Sequence, residues 1–209
     1  SAARTSVGDS GSAQQIIKTL PRRGFKLVAS VEVSGETQTY PQGNDKQVVR
    51  YARSKDGTDI AYAVTGQGPK LLRTGHFLTH LEQDWTNAVW RPYLDRLGAG
   101  HSVVRYDQRG TGLSSGNPED LSIDAQSNDL LAVADAASME QFPLIATSQG
   151  VPVAIHFAAH HPERVSRMVL YGGFAQGRLK RGESQSVDEA NALLTMVRAG
   201  WGNPNSAFM

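Results

Sequence analysis

The chain of 209 residues contains no cysteine. That absence excludes disulfides, thiolate zinc centres and a cysteine nucleophile together, and it fits a reducing cytoplasm, the expected location. No apolar run approaches the roughly 18 residues that a membrane-spanning helix needs, so no membrane association is expected. An excess of one charge is missing too: 21 basic side chains stand against 20 acidic ones. Aromatic residues are sparse, at 7%, whereas 39% of residues are apolar and 20% charged. That balance belongs to a globular protein rather than a disordered or membrane one. The sequence opens on Ser1 rather than methionine, with no basic-then-apolar leader behind it. No signal peptide is read, and the true start is expected upstream.

The near-neutral total hides an asymmetry. Residues 1–28 hold Arg4, Lys18, Arg22, Arg23 and Lys26 against Asp9 alone, while the remainder holds 16 basic and 19 acidic side chains. A basic head suits an anionic partner, although a solvated basic face would look the same. "SAARTSV" reads as the last turns of a helix, stopped by "GDSG". "AQQIIKTL" and "GFKLVASVEV" read as two strands joined by a basic tip, "PRRG". Such a hairpin is marginal alone and needs a partner. "SGETQTYPQGNDK", residues 34–46, reads as a linker.

From Gln47 the pattern changes. "QVVRYARS" and "IAYAVT" flank "KDGTD", a hairpin signal. "PKLLRTG", "HSVVRYD", "FPLIATS" and "RVSRMVLYGG" read as strands. Between and after them come four helical patterns: "TNAVWRPYLDRLGAG", with Trp90, Tyr93, Leu94 and Leu97 on one face; "SIDAQSNDLLAVADAA", with Ser122 as N-cap; "GVPVAIHFAAHH"; and "SVDEANALLTMVRAG". Alternating strands and helices predict an α/β fold, a largely parallel sheet with helices on both faces. In such sheets ligands sit beyond the carboxyl ends of the strands.

Three of those strand ends carry chemistry. "IATSQG" places Ser148 at the apex of a strand-to-helix turn, the nucleophile-elbow arrangement, with small residues Ala146 and Gly150 two positions to either side. The usual pattern has glycine at both, so this one differs by a methyl group. The following helix offers its N-terminal amides to an oxyanion, with Gln149 as one donor. Phe77, in the loop after "PKLLRTG", is the choice for the second. "YDQRGTGLSS" ends another strand; without a lysine after its glycines it is not a phosphate loop. His76 and His80 could line the pocket or could make structural bonds to Glu82 or Asp84. Trp85, Trp90 and Trp201 read as packing residues. No metal or other cofactor is expected.

Taken in order, "TGHF", "YDQRGTGLSS", "ATSQG" and "HPERVSRMVLYGG" make residues 47–209 resemble the first two-thirds of an α/β-hydrolase domain. The resemblance implies Ser148 as nucleophile, Phe77 and Gln149 as the oxyanion amides, and a structural role for the Asp107–Ser114 turn. Residues 1–33 resemble the end of a response-regulator-type winged-helix DNA-binding domain, beginning in the tail of the recognition helix. Arg22 and Arg23 then fall at the wing tip, where contacts to a DNA backbone are usual. The combined order resembles bacterial regulators that fuse the two modules, so DNA and a small-molecule ligand or substrate are the expected partners, and an oligomer is compatible with them. The first expectation is therefore a fragment of a transcription regulator. The alternative is a serine hydrolase of esterase or lactonase type. In the family the acid and histidine of the triad follow the serine in chain order. His156, His160 and His161 are not placed like that base, nor Glu163, Glu183, Asp188 or Glu189 like the acid. The chain by itself is thus expected to be inactive, an internal piece of a longer protein with an exposed sheet edge.

Overall fold

The computed structural model describes residues 7–20, 24–29, 47–177, 180 and 184–200. The chain divides into two units, Ser1–Thr39 and Tyr40–Met209. In the first, strands β1 (Ile17–Leu20) and β2 (Gly24–Leu27) pair antiparallel, Ile17 opposite Leu27 and Leu20 opposite Gly24. The Asp9 carboxylate anchors the entry to β1 by accepting the amides of Ile16 and Ile17 at 3.0 and 2.7 Å. Those bonds, Ile17 foremost, hold its pKa below the ordinary carboxyl value. Arg22, Arg23, the linker over 34–46, Trp201 and the N-terminal helix reading up to residue 6 lie outside the described residues.

Among the described residues the second unit holds one six-stranded sheet. Strands β3 (Val49–Arg53) and β4 (Asp59–Thr65) form the expected hairpin around Gly57, whose φ of +88° meets the turn's need for a left-handed residue. Strands β5 (Lys70–Arg73), β6 (Ser102–Tyr106), β7 (Phe142–Thr147) and β8 (Val165–Tyr171) follow. The spatial order is β3-β4-β6-β5-β7-β8. β3, β4 and β6 pair antiparallel in succession, and the remaining pairs are parallel.

Among the described residues the α-helices are α1 (Leu81–Thr86), α2 (Trp90–Gly98), α3 (Ile123–Ala136), α4 (Gly150–His160) and α5 (Ser184–Gly200). Ser122 caps α3 as its sequence position predicts, its Oγ accepting the Ala125 amide at 3.2 Å. The stretch read as one helix from Thr86 is divided. Thr86 ends α1, Asn87 is extended, and the Asn87 side chain accepts the amides of Val89 and Trp90 at 2.8 and 3.3 Å to start α2. Asparagine competes with the helix for backbone donors, and here it wins.

Strand alternation sends two sets of side chains to opposite faces. Ile60, Leu72, Val104, Leu144 and Ala146 join Leu130, Val133 and Ala134 of α3 and Val151, Ala154 and Phe157 of α4 in the main core. Ala61 and Ala63 belong to a smaller cluster with Leu81 of α1. Among the described residues no helix is long and apolar enough to cross a membrane.

Candidate functional site

Strand β5 leads to β6 on one side, and the chain then returns to β7 on the other. That reversal opens a crevice between the carboxyl ends of β5 and β7, where ligands of such sheets bind. Two segments meet there: the turn after β7, with Ser148, and the loop after β5, with Phe77.

Ser148 has φ +52°, the left-handed region that costs an L side chain free energy. The turn is pinned on both sides. The Ser148 amide donates to the Tyr171 carbonyl at 2.9 Å, and its own carbonyl accepts the Val151 amide at 3.1 Å. Helix α4 starts two residues later with no side chain capping its first turn, and Gln149 is its cap residue. The uncapped N-terminus leaves backbone donors and the positive dipole end directed toward the crevice. A Cβ at Gly150 would collide with the Thr74 side chain and the Gly75 carbonyl. Glycine at this position therefore lets the elbow touch the β5 loop. Ala146, on the other side, is fully buried in the main core, which accommodates its methyl group.

The β5 loop is drawn in by the Thr74 amide, which donates to the Ile145 carbonyl of β7 at 2.9 Å. Phe77 follows, 60% exposed, and then Leu78 with φ +53°. Four described non-glycine residues have positive φ, and two of them, Leu78 and Ser148, flank this crevice. Strain of this kind concentrates at functional sites. His76 braces the loop: its Nδ1 lies 2.9 Å from the Phe77 carbonyl, which can only accept, so Nδ1 donates. The imidazole stacks on Trp90 with centroids 4.2 Å apart, and its Nε2 lies 3.5 Å from Asp84. His80 caps α1 by accepting the Gln83 amide at 3.4 Å. Both histidines thus make local contacts in this loop, His76 with the Phe77 carbonyl and the Trp90 ring and His80 with the Gln83 amide; the expected hydrogen bond from His76 to Asp84 is not formed.

The Asp107–Ser114 turn supports the same edge. Asp107 Oδ2 accepts the amides of Leu81 and Leu113 at 3.1 and 2.9 Å, and burial raises the pKa of its carboxyl. Ser114 Oγ accepts the Ala61 amide and donates to the Asp107 carbonyl. Arg109 is locked to Asp129 by two bonds of 2.7 and 2.6 Å and to Asp56 at 2.8 Å. These contacts raise its pKa further, the Asp129 bonds most.

A cleft of about 380 Å³ beside Gln149 is lined by Gln108, Thr111, Asn117, Leu121 and Gln126, among others. The sequence carried no signal for it, since its side-chain amides come from three separate segments. The histidines of α4 and its end are engaged elsewhere: His156 with Asp124 at 3.1 Å, His160 with the His156 carbonyl, and His161 with Glu163 at 3.9 Å.

Known proteins resemble this chain in sequence and fold. A pyrrolizixenacetamide deacetylase from Xenorhabdus hominickii is 31% identical over 126 residues, covering 60% of this chain and 46% of the deacetylase. A putative carbamate hydrolase, RutD, from Azorhizobium caulinodans is 32% identical over 134 residues, covering 63% of this chain and 48% of the relative. The chain therefore spans about half the length of the curated relatives it matches. A hydrolase from Pseudomonas aeruginosa PA01 superposes with a TM-score of 0.59 at 27% identity, over 73% of this chain and 54% of that one. Residues 77–202, from the oxyanion-loop candidate through the elbow and beyond β8, match the model of the alpha/beta hydrolase fold. With the switch-point crevice and the strained serine above it, that match establishes that the chain belongs to the alpha/beta hydrolase fold family.

Proposed function

We propose that the full-length protein is a serine hydrolase acting on an acyl compound, an ester, amide or carbamate, with Ser148 as nucleophile. The observation that carries this reading is the left-handed Ser148 at the turn between β7 and α4. Its Oγ attacks the carbonyl carbon, and its proton passes to a general base. The tetrahedral oxyanion is held by the amides of Gln149 and Phe77; the leaving group departs protonated, and water then cleaves the acyl-serine. The deacetylase and the putative carbamate hydrolase support the substrate class, since both names denote attack at a carbonyl. In this reading the base and its acid are residues other than the histidines of α4 and its end, which are engaged elsewhere. Treatment of the full-length protein with a fluorophosphonate probe should label it at Ser148 and leave Ser148→Ala unlabelled. Equal labelling of the two would remove the proposal.

A second reading rests on a different part of the chain. The β1–β2 ribbon lies in its own unit, and its connecting residues include Arg22 and Arg23. We infer from this and from the basic head a winged-helix DNA contact, in a cytoplasmic regulator whose hydrolase-like domain senses a small molecule. The comparisons favour the hydrolase reading over this one. Gel shift of the full-length protein on its own promoter DNA tests it, with Arg22→Ala/Arg23→Ala expected to bind several-fold more weakly. No shift at low salt, with or without candidate ligands, would discard it.

A further inference from the structure

On the sheet face opposite the elbow helix, β5 and β6 each end their ladder with an arginine. Arg73 and Arg105 are direct Cα partners in this parallel pair, and they are 2% and 1% exposed. Guanidinium groups stay charged inside proteins, so two adjacent buried cations need compensation. Aromatic faces supply part of it. The Arg73 guanidinium lies 5.1 Å from the Trp90 ring and 5.5 Å from the Tyr93 ring, and Arg105 lies 5.5 Å from Trp85. Burial lowers the pKa of both: Arg105 to about 10, with the Arg73 charge adding to the effect, and Arg73 against the opposing influence of Tyr93 and Asp84.

Stacking uses the face of a guanidinium and leaves its in-plane N–H groups over. Arg105 Nη2 donates to Gln47 Oε1 at 2.6 Å, but Arg105 Nε has no hydrogen-bond partner among the described residues. Arg73 has none at either Nε or Nη2. Those two atoms form one edge of the guanidinium, the side-on fork that matches the two oxygens of a carboxylate. Trp85 Nε1, beneath Arg105, is a further buried donor without a partner. The charge of Asp84 reaches both arginines, yet no hydrogen bond among the described residues joins it to either. The unmet groups of Arg73, Arg105 and Trp85 are thus all donors, and what they lack is an acceptor.

We propose that Arg73 and Arg105 form a buried carboxylate-binding site, with the carboxylate bidentate on Arg73 Nε and Nη2 and Arg105 Nε as an auxiliary donor. The site lies just before the loop that carries Phe77 and is independent of any reaction at Ser148. The carboxylate is either a free small one or a side chain of the protein's own polypeptide, and two measurements on the full-length protein separate these sources. The first is the thermal midpoint in formate against chloride at constant ionic strength. A free-carboxylate site gives a saturating rise of roughly 5 °C that vanishes in Arg73→Lys, which keeps the charge and loses the fork. The second is a crystal structure. Two oxygens of an Asp or Glu side chain near 2.8 Å from Arg73 Nε and Nη2, with no formate effect, assign the site to the polypeptide. Substituting that residue by its amide must then lower the midpoint as Arg73→Lys does. Formate indifference together with only water on the Arg73 edge overturns the proposal.

Discussion

Ser148 and Leu78 are held in a backbone region where side chains are strained, one on each side of the β5–β7 crevice. At a residue with φ +52°, glycine relieves the steric conflict between Cβ and the backbone. Ser148→Gly should therefore be more stable than Ser148→Ala by about 1 kcal/mol in urea denaturation, while both lose reactivity at this position. Equal stability of the two variants would mean that the turn is not strained as its dihedral implies. Gly150 shows the complementary constraint, where space rather than backbone conformation demands the small residue. The "ATSQG" pattern made both requirements readable. Nothing around Leu78 did so, because leucine carries no turn chemistry.

Single elements are tied together by the turn after β6. Arg109 joins the β3–β4 turn through Asp56, the helix α3 through Asp129, and the loop before α3 through the Asp120 carbonyl. The Arg109 bond, with help from Thr58, lowers the Asp56 pKa from 3.8 to about 2. A carboxyl depressed on folding stabilises the protein above its unfolded pKa, and that contribution is lost as pH falls toward the folded value. Asp56→Asn should therefore flatten the pH dependence of the urea midpoint between about pH 4 and 2, leaving the neutral limb parallel to wild type. An unchanged acid slope would show that the Asp56–Arg109 pair does not persist in solution. The glycine-rich stretch was readable as a turn of structural kind. That its arginine locks three segments was not, because Asp56 and Asp129 become its partners only in three dimensions.

At the scale of the molecule, β8 is the last strand in the sheet order, and Val169, Leu170 and Tyr171 are exposed on it, the outer two by 55% and 73%. Unpaired strand edges with apolar side chains pair readily with other chains. The 209-residue chain should accordingly associate with rising concentration in sedimentation velocity. Val169→Lys, which puts a charge on that edge, should shift the onset to several-fold higher concentration. Association indifferent to this substitution would place the contact elsewhere. Among the described residues the unit Ser1–Thr39 has two four-residue strands, and a two-stranded hairpin is marginally stable alone.

By itself the sequence determined the alternation of strands and helices, the elbow with its small flanking residues, and the N-cap at Ser122. Each of these is specified locally, by side-chain period, residue size or a hydrogen bond to the next turn. It did not determine that α1 and α2 are separate helices, which turns on Asn87 competing for backbone donors at one position. Nor did it reveal the aromatic-walled pair of Arg73 and Arg105, whose members are 32 positions apart. In "KLLRTG" and "SVVRYD" each arginine looks like an ordinary charged residue at a strand end. Only the parallel register of β5 and β6 sets them side by side, and only the packing of α1 and α2 removes them from water. Tertiary structure decided these features because burial and cross-strand pairing are properties of pairs of segments, and neither segment carries them alone.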